Sequence, residues 1–527
     1  MRTPPPTKDA ADNWTLPKGT FFWFLAKHLQ QIATEEVVGG LFSSTLGRPS
    51  TPPEHLVALL LLRYYENVSY AVAAERAQFD IRWKAVLGRA IEEPGPVVSD
   101  TTLNDFEAAL RRLNRHDVLI ARSVELACEA GWIEGELVTA QDSSPVNGKG
   151  AVKDTYNLLG DAIRKLVRGI AAAEGGKPLA TAERYGVGDL FRRSTKAAAN
   201  IDWSSPEARR GFLQRLVETT EALIKVADPR EPSGLAAIAI ATKIIAQDIE
   251  RDEHGWVRLR QGVAEDRLIS VHDPEMRRGH KTQSEPFEGY KFHHTVDVKH
   301  GFILATDVTS ANTHDSEPSA SMDERAEKVT GCIVVKTIGD CAYGTEKNRV
   351  AHDDAGRALV AKLPRASKGA KFGKDRFDID LTKKTVTCPQ GITTNTFTII
   401  RTNTAEPGRE ALPPSARARL FVYPPESCGS CPQRAACITD KHDRRTVEVG
   451  PNEALFIAAR AYQATDTFKI DRRTRQIVER QVARMVRLGA RVARVFGCAK
   501  VKAQTAFIAA VANFSRLATL SASVARA

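Results

Sequence analysis

Leu137-Val138-Thr139-Ala140-Gln141-Asp142-Ser143-Ser144-Pro145 and Cys332-Ile333-Val334-Val335-Lys336-Thr337-Ile338-Gly339-Asp340 are the two stretches whose reading decides the fold. Each opens as a short apolar run, rich in β-branched residues, that reads as a buried strand, and each run ends on an aspartate. A buried strand has no use for an ionised carboxylate, because desolvating it is costly unless a positive charge compensates. At a strand's end the carboxylate leaves the core yet stays fixed by the sheet. Two such groups on neighbouring strands repel each other unless a cation lies between them, an arrangement that suits Mg²⁺, a hard ion with oxygen ligands. The competing reading of each aspartate alone is a cap on the turn or helix that follows.

The elements around these strands set the fold class. Leu268–His272, Tyr290–Lys299 and Phe302–Val308 read as further strands, the last two joined by His300-Gly301. Leu158–Ala172, Ala208–Ala227, Ser233–Ile249 and Glu317–Lys328 read as helices, with Pro229, Pro232 and Gly234 as interruptions. Strands interleaved with helices predict a mixed sheet and an α/β core. Upstream, Phe21-Phe22-Trp23-Phe24 reads as a cluster buried against a neighbouring helix. Thr51-Pro52-Pro53-Glu54 starts a helix that continues through Leu56, Leu59, Leu60 and Tyr64. Tyr70–Gln78 forms a second helix. A third starts at Ser99 and repeats at Leu103, Phe106, Leu110 and Leu113, beyond a loop containing Pro94-Gly95-Pro96. Helix-turn-helix DNA binders and structural bundles both look like this. From Thr465 to the end the chain reads as helix again.

Composition narrows the class. The chain has 527 residues, 75 Lys and Arg against 64 Asp and Glu, a net charge of +11, and 42% hydrophobic residues. That describes a globular protein of several units with a mild pull toward polyanions. The apolar stretches Leu56–Leu62 and Leu235–Thr242 fall short of the roughly 18–20 residues that span a bilayer. The start, Met1-Arg2-Thr3-Pro4-Pro5-Pro6, has no signal-type apolar run. The expectation is a soluble intracellular protein, neither secreted nor in a membrane.

A third acid should come from a helix, and Glu479 is the candidate. Between Asp471 and Lys502 there are ten basic residues and two acids, Asp471 and Glu479. Glu479 is then either an i,i+4 ion-pair partner or a metal ligand beside a phosphate track, with Arg472, Arg480, Arg484 and Arg487 as candidate DNA contacts. Four of the eight cysteines fall together: Cys388 before Pro389-Gln390-Gly391, then Cys428, Cys431 and Cys437. They read as a closed Zn²⁺ site, with His442 as an alternative ligand, or as reduced or redox-active thiols. Arg434, Lys441, Arg444 and Arg445 nearby suit phosphate contact, and a knuckle that only staples a loop is the alternative. Cys128, Cys332, Cys341 and Cys498 read as buried thiols. His293 and His294 alternate along one strand, so they cannot ligate from one face.

Taken together, Asp142 in Thr139-Ala140-Gln141-Asp142-Ser143-Ser144, Asp340 in Ile338-Gly339-Asp340-Cys341-Ala342-Tyr343-Gly344, and Ile477-Val478-Glu479-Arg480-Gln481-Val482-Ala483 resemble a bacterial insertion-sequence DDE transposase. Gly289-Tyr290-Lys291-Phe292-His293-His294, the Ala311-Asn312-Thr313-His314-Asp315 turn and Ala509-Ala510-Val511-Ala512-Asn513 are similar to the same group, in particular to the insertion-sequence family numbered eleven eighty-two. The likeness runs from about residue 20 to 520.

The resemblance implies a ribonuclease-H-like catalytic core with Asp142, Asp340 and Glu479 as its metal-binding triad. It further implies two Mg²⁺ (or Mn²⁺) ions serving both strand cleavage and strand transfer. Related enzymes add a Tyr, an Arg and a Lys around the Glu; only Arg475 stands where that pattern wants it, Arg472 and Val486 holding the other two places. The expected organisation is a helical DNA- or partner-binding domain at 1–130 and a core at 131–364 and 451–527. A helical insertion would occupy 151–255 and a Cys-rich, zinc-holding insertion 365–450. The expected partners are double-stranded DNA, as inverted-repeat ends and target, and a second copy of the chain on DNA, with no membrane. The expected location is the bacterial cytoplasm, at the nucleoid. Two other readings stay open: a non-catalytic DNA-binding protein derived from a transposase, and a metal-dependent nuclease without strand transfer.

Overall fold

The computed structural model describes residues 16–41, 51–90, 92–93, 97–282, 284–363, 371–400, 413 and 417–524. The proline-rich start and the Pro94-Gly95-Pro96 loop lie outside them. Helices fill the N-terminal part: α1 Phe21–Ile32, α2 Pro53–Tyr65, α3 Tyr70–Phe79, α4 Ile81–Val86, α5 Asp100–Arg112 and α6 Arg115–Glu129. Thr20 and Ser99 cap α1 and α5, accepting from the backbone N–H of Trp23 at 3.3 Å and of Thr102 at 3.1 Å. The sequence reading lacks α4, which is too short to show a period and is set by its cap, Asp80, accepting from Arg82 N–H at 2.9 Å. Glu107 is buried between these helices and accepts from Arg63 at 3.2 Å, Tyr64 Oη at 3.0 Å and Tyr70 Oη at 2.7 Å. Paired this fully, a carboxylate can stay inside the bundle.

Strand β1 (Glu136–Asn147) follows, and then a helical segment, α7 (Thr155–Ala173), α8 (Pro206–Val226) and α9 (Pro232–Asp248), with shorter helical turns between. These helices bury their own core around Leu159, Ile163, Leu166, Phe212, Leu216 and Ile244. The chain returns to the sheet through β2 (Arg277–Thr282), β3 (Glu285–Asp297) and β4 (Ile303–Ser310). It then crosses over α10 (Ser319–Thr330) to β5 (Ile333–Ile338) and over α11 (Glu346–Asp354) to β6 (Ala358–Val360). The sheet order is β2-β3-β1-β5-β6, with β4 also paired to β3. The β1–β3, β2–β3 and β3–β4 pairs are antiparallel, whereas β1–β5 and β5–β6 are parallel, as their helical crossovers require.

Two expectations about strands need correction. Leu268–His272 is not a strand, because its backbone partners lie outside any ladder. Gln247 takes the N–H and C=O of Leu268 at 2.8 and 3.0 Å, and Lys153 N–H donates to Ile269 C=O at 3.1 Å. Nor does β1 stop at Asp142. Its parallel register with β5 ends at Ala140 opposite Ile338, while its antiparallel register with β3 runs on to Asn147 opposite Gly289. Pro145 is tolerated there because β5 no longer needs a donor from β1. Gly289 itself, with φ +148°, is required: a Cβ would stand 2.2 Å from Val146 O.

After two small three-stranded sheets within residues 378–449, the C-terminal helices are α12 (Glu453–Gln463), α13 (Asp466–Thr474), α14 (Gln476–Met485) and α15 (Cys498–Val524). Gly489, at φ +99°, breaks the path between α14 and α15. By length and composition alone Cys498–Ser523 could cross a membrane, with mean hydropathy 1.2, a feature the sequence reading passed over. Here 72% of that window is buried inside the molecule, against α1, α2, α6 and β4. One apolar core therefore runs from Phe21 through the sheet to Ala518.

Asn513 locks α15 to the sheet. Its Oδ1 accepts from Ile303 N–H at 2.8 Å, and its Nδ2 donates to Ile303 O at 2.8 Å and Ser123 Oγ at 2.9 Å. Asn513→Ala takes the side-chain partner from the buried N–H and C=O of Ile303, while Ser123 Oγ keeps its bond to Ile120 O at 2.6 Å, so urea denaturation should show a loss of about 2 kcal/mol or more. A loss under about 1 kcal/mol would contradict this role.

Candidate active site

The parallel register brings the two strand-borne aspartates together. Asp142 lies two residues beyond Ala140 and Asp340 two beyond Ile338, and Ala140 and Ile338 are register partners. Along β1 the neighbours of Asp142 face the other way, where Thr139 donates to Asp323 at 3.0 Å and Gln141 to Ser319 O at 3.1 Å, both toward α10. Asp142 thus points to the opposite face, the one covered by α14. Asp340 also caps the turn after β5, accepting from Ala342 N–H at 2.8 Å, so the capping reading holds beside the pairing.

Arg475 ties the third acid to the first. Its guanidinium donates to Asp142 Oδ2 at 3.0 Å and to Glu479 Oε1 at 2.7 Å. The side chains are 17% exposed for Asp142, 21% for Arg475 and 56% for Glu479, so the cluster grades from the sheet out to solvent. Burial pushes the Asp142 carboxyl up to about 6, Asp340 and Glu479 push the same way, and Arg475 and the Ser143 N–H oppose them. The i,i+4 ion pair expected of Glu479 is therefore present, and it reaches on to Asp142. Arg472, Arg480 and Arg487 are exposed and Arg484 is half-buried, all on α13, α14 or the turn beyond.

Two further residues, Asp315 and Tyr343, lie around the acids, and the sequence reading gave them no role in the site. Asp315 lies in the polar turn beyond β4, which ends at Ser310, and accepts from Lys291 Nζ at 2.7 Å. Tyr343 is buried beneath the group, its phenol pushed far up by burial and by Asp142, Asp315 and Asp340, with Arg475 opposing. The signal available was a strand-end acid after β4, concealed in a polar turn. The glycines beside Asp340 are held by close packing. A Cβ on Gly339 would stand 2.6 Å from the Tyr343 ring, and one on Gly344 3.0 Å from Arg349. His293 and His294 face opposite ways, as alternation requires: His293 bonds Thr309 Oγ1 at 2.8 Å and His294 lies buried beneath α14. Burial depresses both to about 4, so both are neutral at physiological pH.

The zinc expectation is not carried by the structure. Cys388, Cys428 and Cys437 pack against a small core of Phe377, Val386, Phe421, Tyr423, Val447 and Val449, and Cys431 is close enough to act electrostatically on Cys437. Among the described residues, no three or more His, Cys, Asp or Glu side chains are arranged to hold a metal ion. Cys388, Cys428 and Cys431 all act electrostatically on Cys437, whose thiol is raised first by burial, and the Arg445 N–H donates to Cys428 Sγ at 3.4 Å. The three acids likewise form no ready cage, since the Arg475 guanidinium sits between Asp142 and Glu479. Cys341 is exposed, contrary to its reading as a buried thiol.

The raised Asp142 carboxyl has a consequence for stability. The folded state holds this proton more tightly than the unfolded one, so the group's contribution is full below pH 4 and lost as pH rises past about 6. A shift of about two units corresponds to roughly 3 kcal/mol at most. Denaturation of the wild type and Asp142→Asn at pH 4.5 and pH 7.5 should show a smaller loss across that range in the variant. Equal losses would contradict the assignment.

Residues 387–518 match the family model described as a transposase DDE domain, and residues 13–109 match one described as a transposase domain (DUF772). The first segment carries Arg475 and Glu479; Asp142 and Asp340 lie outside both. No curated protein and no solved structure matches the chain. The two matches support an insertion-sequence DDE transposase, a class of enzyme that cleaves and joins DNA.

Proposed function

We propose that this chain cuts and joins the ends of an insertion sequence, with Asp142, Asp340 and Glu479 as the catalytic acids on a ribonuclease-H-like core. The observation that carries the reading is the convergence of three acids from distant parts of the chain: two at matched positions beyond the β1–β5 register, the third joined to the first through Arg475. An acid-bearing central strand between antiparallel strands on one side and parallel strands on the other is compatible with such a core. The specific tie to the family numbered eleven eighty-two remains part of this proposal.

The donor set fits a hard divalent cation. All three donors are carboxylates, and they crowd closely enough for Asp340 and Glu479 to raise Asp142. Asp142, Asp340 and Glu479 would hold Mg²⁺ or Mn²⁺, which when bound supplies Lewis-acid activation of water or a DNA 3′-hydroxyl and stabilises the leaving oxygen. Arg475 keeps Asp142 and Glu479 facing each other and places a guanidinium where a phosphodiester would arrive. Lys291 holds Asp315 in an ion pair at the edge of the group. Arg472, Arg480, Arg484 and Arg487 would contact DNA phosphates. The helical segment before β1 would bind DNA or a partner. Two copies would act together on the paired ends, in the bacterial cytoplasm at the nucleoid.

Incubation of the protein with a 3′-hydroxyl end duplex, a target plasmid and Mg²⁺ tests this reading. Joined product is expected. Cutting without joining would favour a nuclease, and binding alone a non-catalytic descendant. Asp142→Asn, Asp340→Asn and Glu479→Gln should each abolish cleavage, by a thousandfold or so at least, while duplex binding is kept. Normal cutting by any one of them would remove that residue from the triad.

A further inference from the structure

The opposite face of the same two strands meets a buried carboxylate to which the proposed reaction gives no part. Asp323 of α10, His352 of α11, Thr139 of β1 and Thr337 of β5 are all wholly buried. Thr139 Oγ1 donates to Asp323 Oδ1 at 3.0 Å, and Thr337 Oγ1 donates to Oδ2 at 2.6 Å. His352 Nε2 lies 3.2 Å from Oδ2, and its Nδ1 lies 2.8 Å from Asn348 O. A carboxylate shut away from water needs partners in this number. What is specific here is their source: the two hydroxyls belong to one register pair, Thr139 opposite Thr337.

That pair sits between an irregularity and the acids. The β1–β5 ladder shifts register between Leu137 and Val138, then runs through Val138–Lys336, Thr139–Thr337 and Ala140–Ile338. Asp142 and Asp340 follow two residues on. A slip of one residue would turn each later side chain of that strand to the other face. Thr139 and Ala140 are both buried, as are Thr337 and Ile338, so burial of one face does not choose the register. Two hydroxyls directed at one carboxylate do. The neighbouring bonds extend the same hold toward the site. On β1, Gln141 Nε2 donates to Ser319 O at 3.1 Å and Ser319 Oγ to Gln141 Oε1 at 2.6 Å. Beyond β5, Asn348 Nδ2 donates at 2.8 Å to Tyr343 O, in the turn that Asp340 caps.

We propose that Asp323 is a positioning residue, a carboxylate clamp on the Thr139–Thr337 pair that keeps Asp142 and Asp340 level at the end of the ladder. The inference rests on the proposed catalytic role of those two acids, and Asp323 acts on them only through the strands.

Hydrogen exchange read by mass spectrometry, beside cleavage kinetics on the full chain, tests the clamp. Asp323→Ala should speed exchange in residues 137–142 and 333–340 by about tenfold or more and leave the helices of residues 155–248 unchanged. It should lower kcat about a hundredfold, as catalytic groups displaced by roughly an ångström do, with KM for the duplex held within about twofold. Asp323→Asn keeps the shape and one acceptor oxygen and should recover most of both. If Asp323→Ala fails to fold, Thr337→Val removes the shorter hydroxyl bond, keeps the side chain's shape and carries the same expectation at about tenfold in kcat. Unaltered exchange in those two segments would overturn the clamp. So would faster exchange spread evenly through the chain with kcat unchanged, since Asp323 would then only stabilise the fold. A wild type that cuts no DNA, while Asp323→Ala still loosens the two segments alone, would defeat the catalytic reading and leave the clamp standing.

Discussion

The parallel pairing of β1 with β5 is the constraint on which the rest depends. It sets two carboxylates at equivalent heights on adjacent strands, just where the shorter strand stops. Neither aspartate can relax away: Asp142 sits within β1 and Asp340 caps the turn just beyond β5, both strands being anchored in the core from Phe21 to Ala518. The resulting repulsion is offset by one guanidinium, Arg475, supplied by the helical run that also carries Glu479. Remove the register and the acids separate; remove Arg475 and Asp142 faces two like charges without compensation. Burial, more than the two neighbouring acids, raises the Asp142 carboxyl, and Arg475 and the Ser143 N–H offset only part of that rise.

The C-terminal helices do two jobs at once. On one side α14 closes over the acids, and through α15 the same run forms the apolar spine against which β4 and the N-terminal helices pack. Asn513 shows how tightly these jobs are joined, since one side chain satisfies a sheet strand and α6 together. A second face of α14 and the turn after it carry Arg480, Arg484 and Arg487, which make no ion pair among the described residues.

Much of this was legible in the residues, for identifiable reasons. The strand runs ending at Asp142 and Asp340 stand out because a buried parallel strand is apolar and an acid at its end is costly to place anywhere else. The three long helices of the segment after β1 and the closing helical run follow from their apolar periods. Glu479 stands out as one of two acids in a basic run, but the residues alone leave it open between an ion-pair partner and a metal ligand, and Arg475 enters only through a family likeness. Leu268–His272 was misread because its apolar run looks like a strand, whereas its backbone is held by the side chain of Gln247. Asp315 and Tyr343 joined the site unannounced, being placed there by strand order rather than by any spacing. The cysteine spacing suggested zinc, yet the thiols pack as part of a small core.

The central claim is that Asp142, Asp340 and Glu479 act as one cation-binding group. Mn²⁺ titration of the full chain, followed by electron paramagnetic resonance, tests it most directly. The wild type should bind the ion, with affinity rising as pH passes about 6 and Asp142 ionises, and Asp340→Asn and Glu479→Gln should each weaken it at least tenfold. Binding that is indifferent to both substitutions, or flat across that pH range, would contradict the claim.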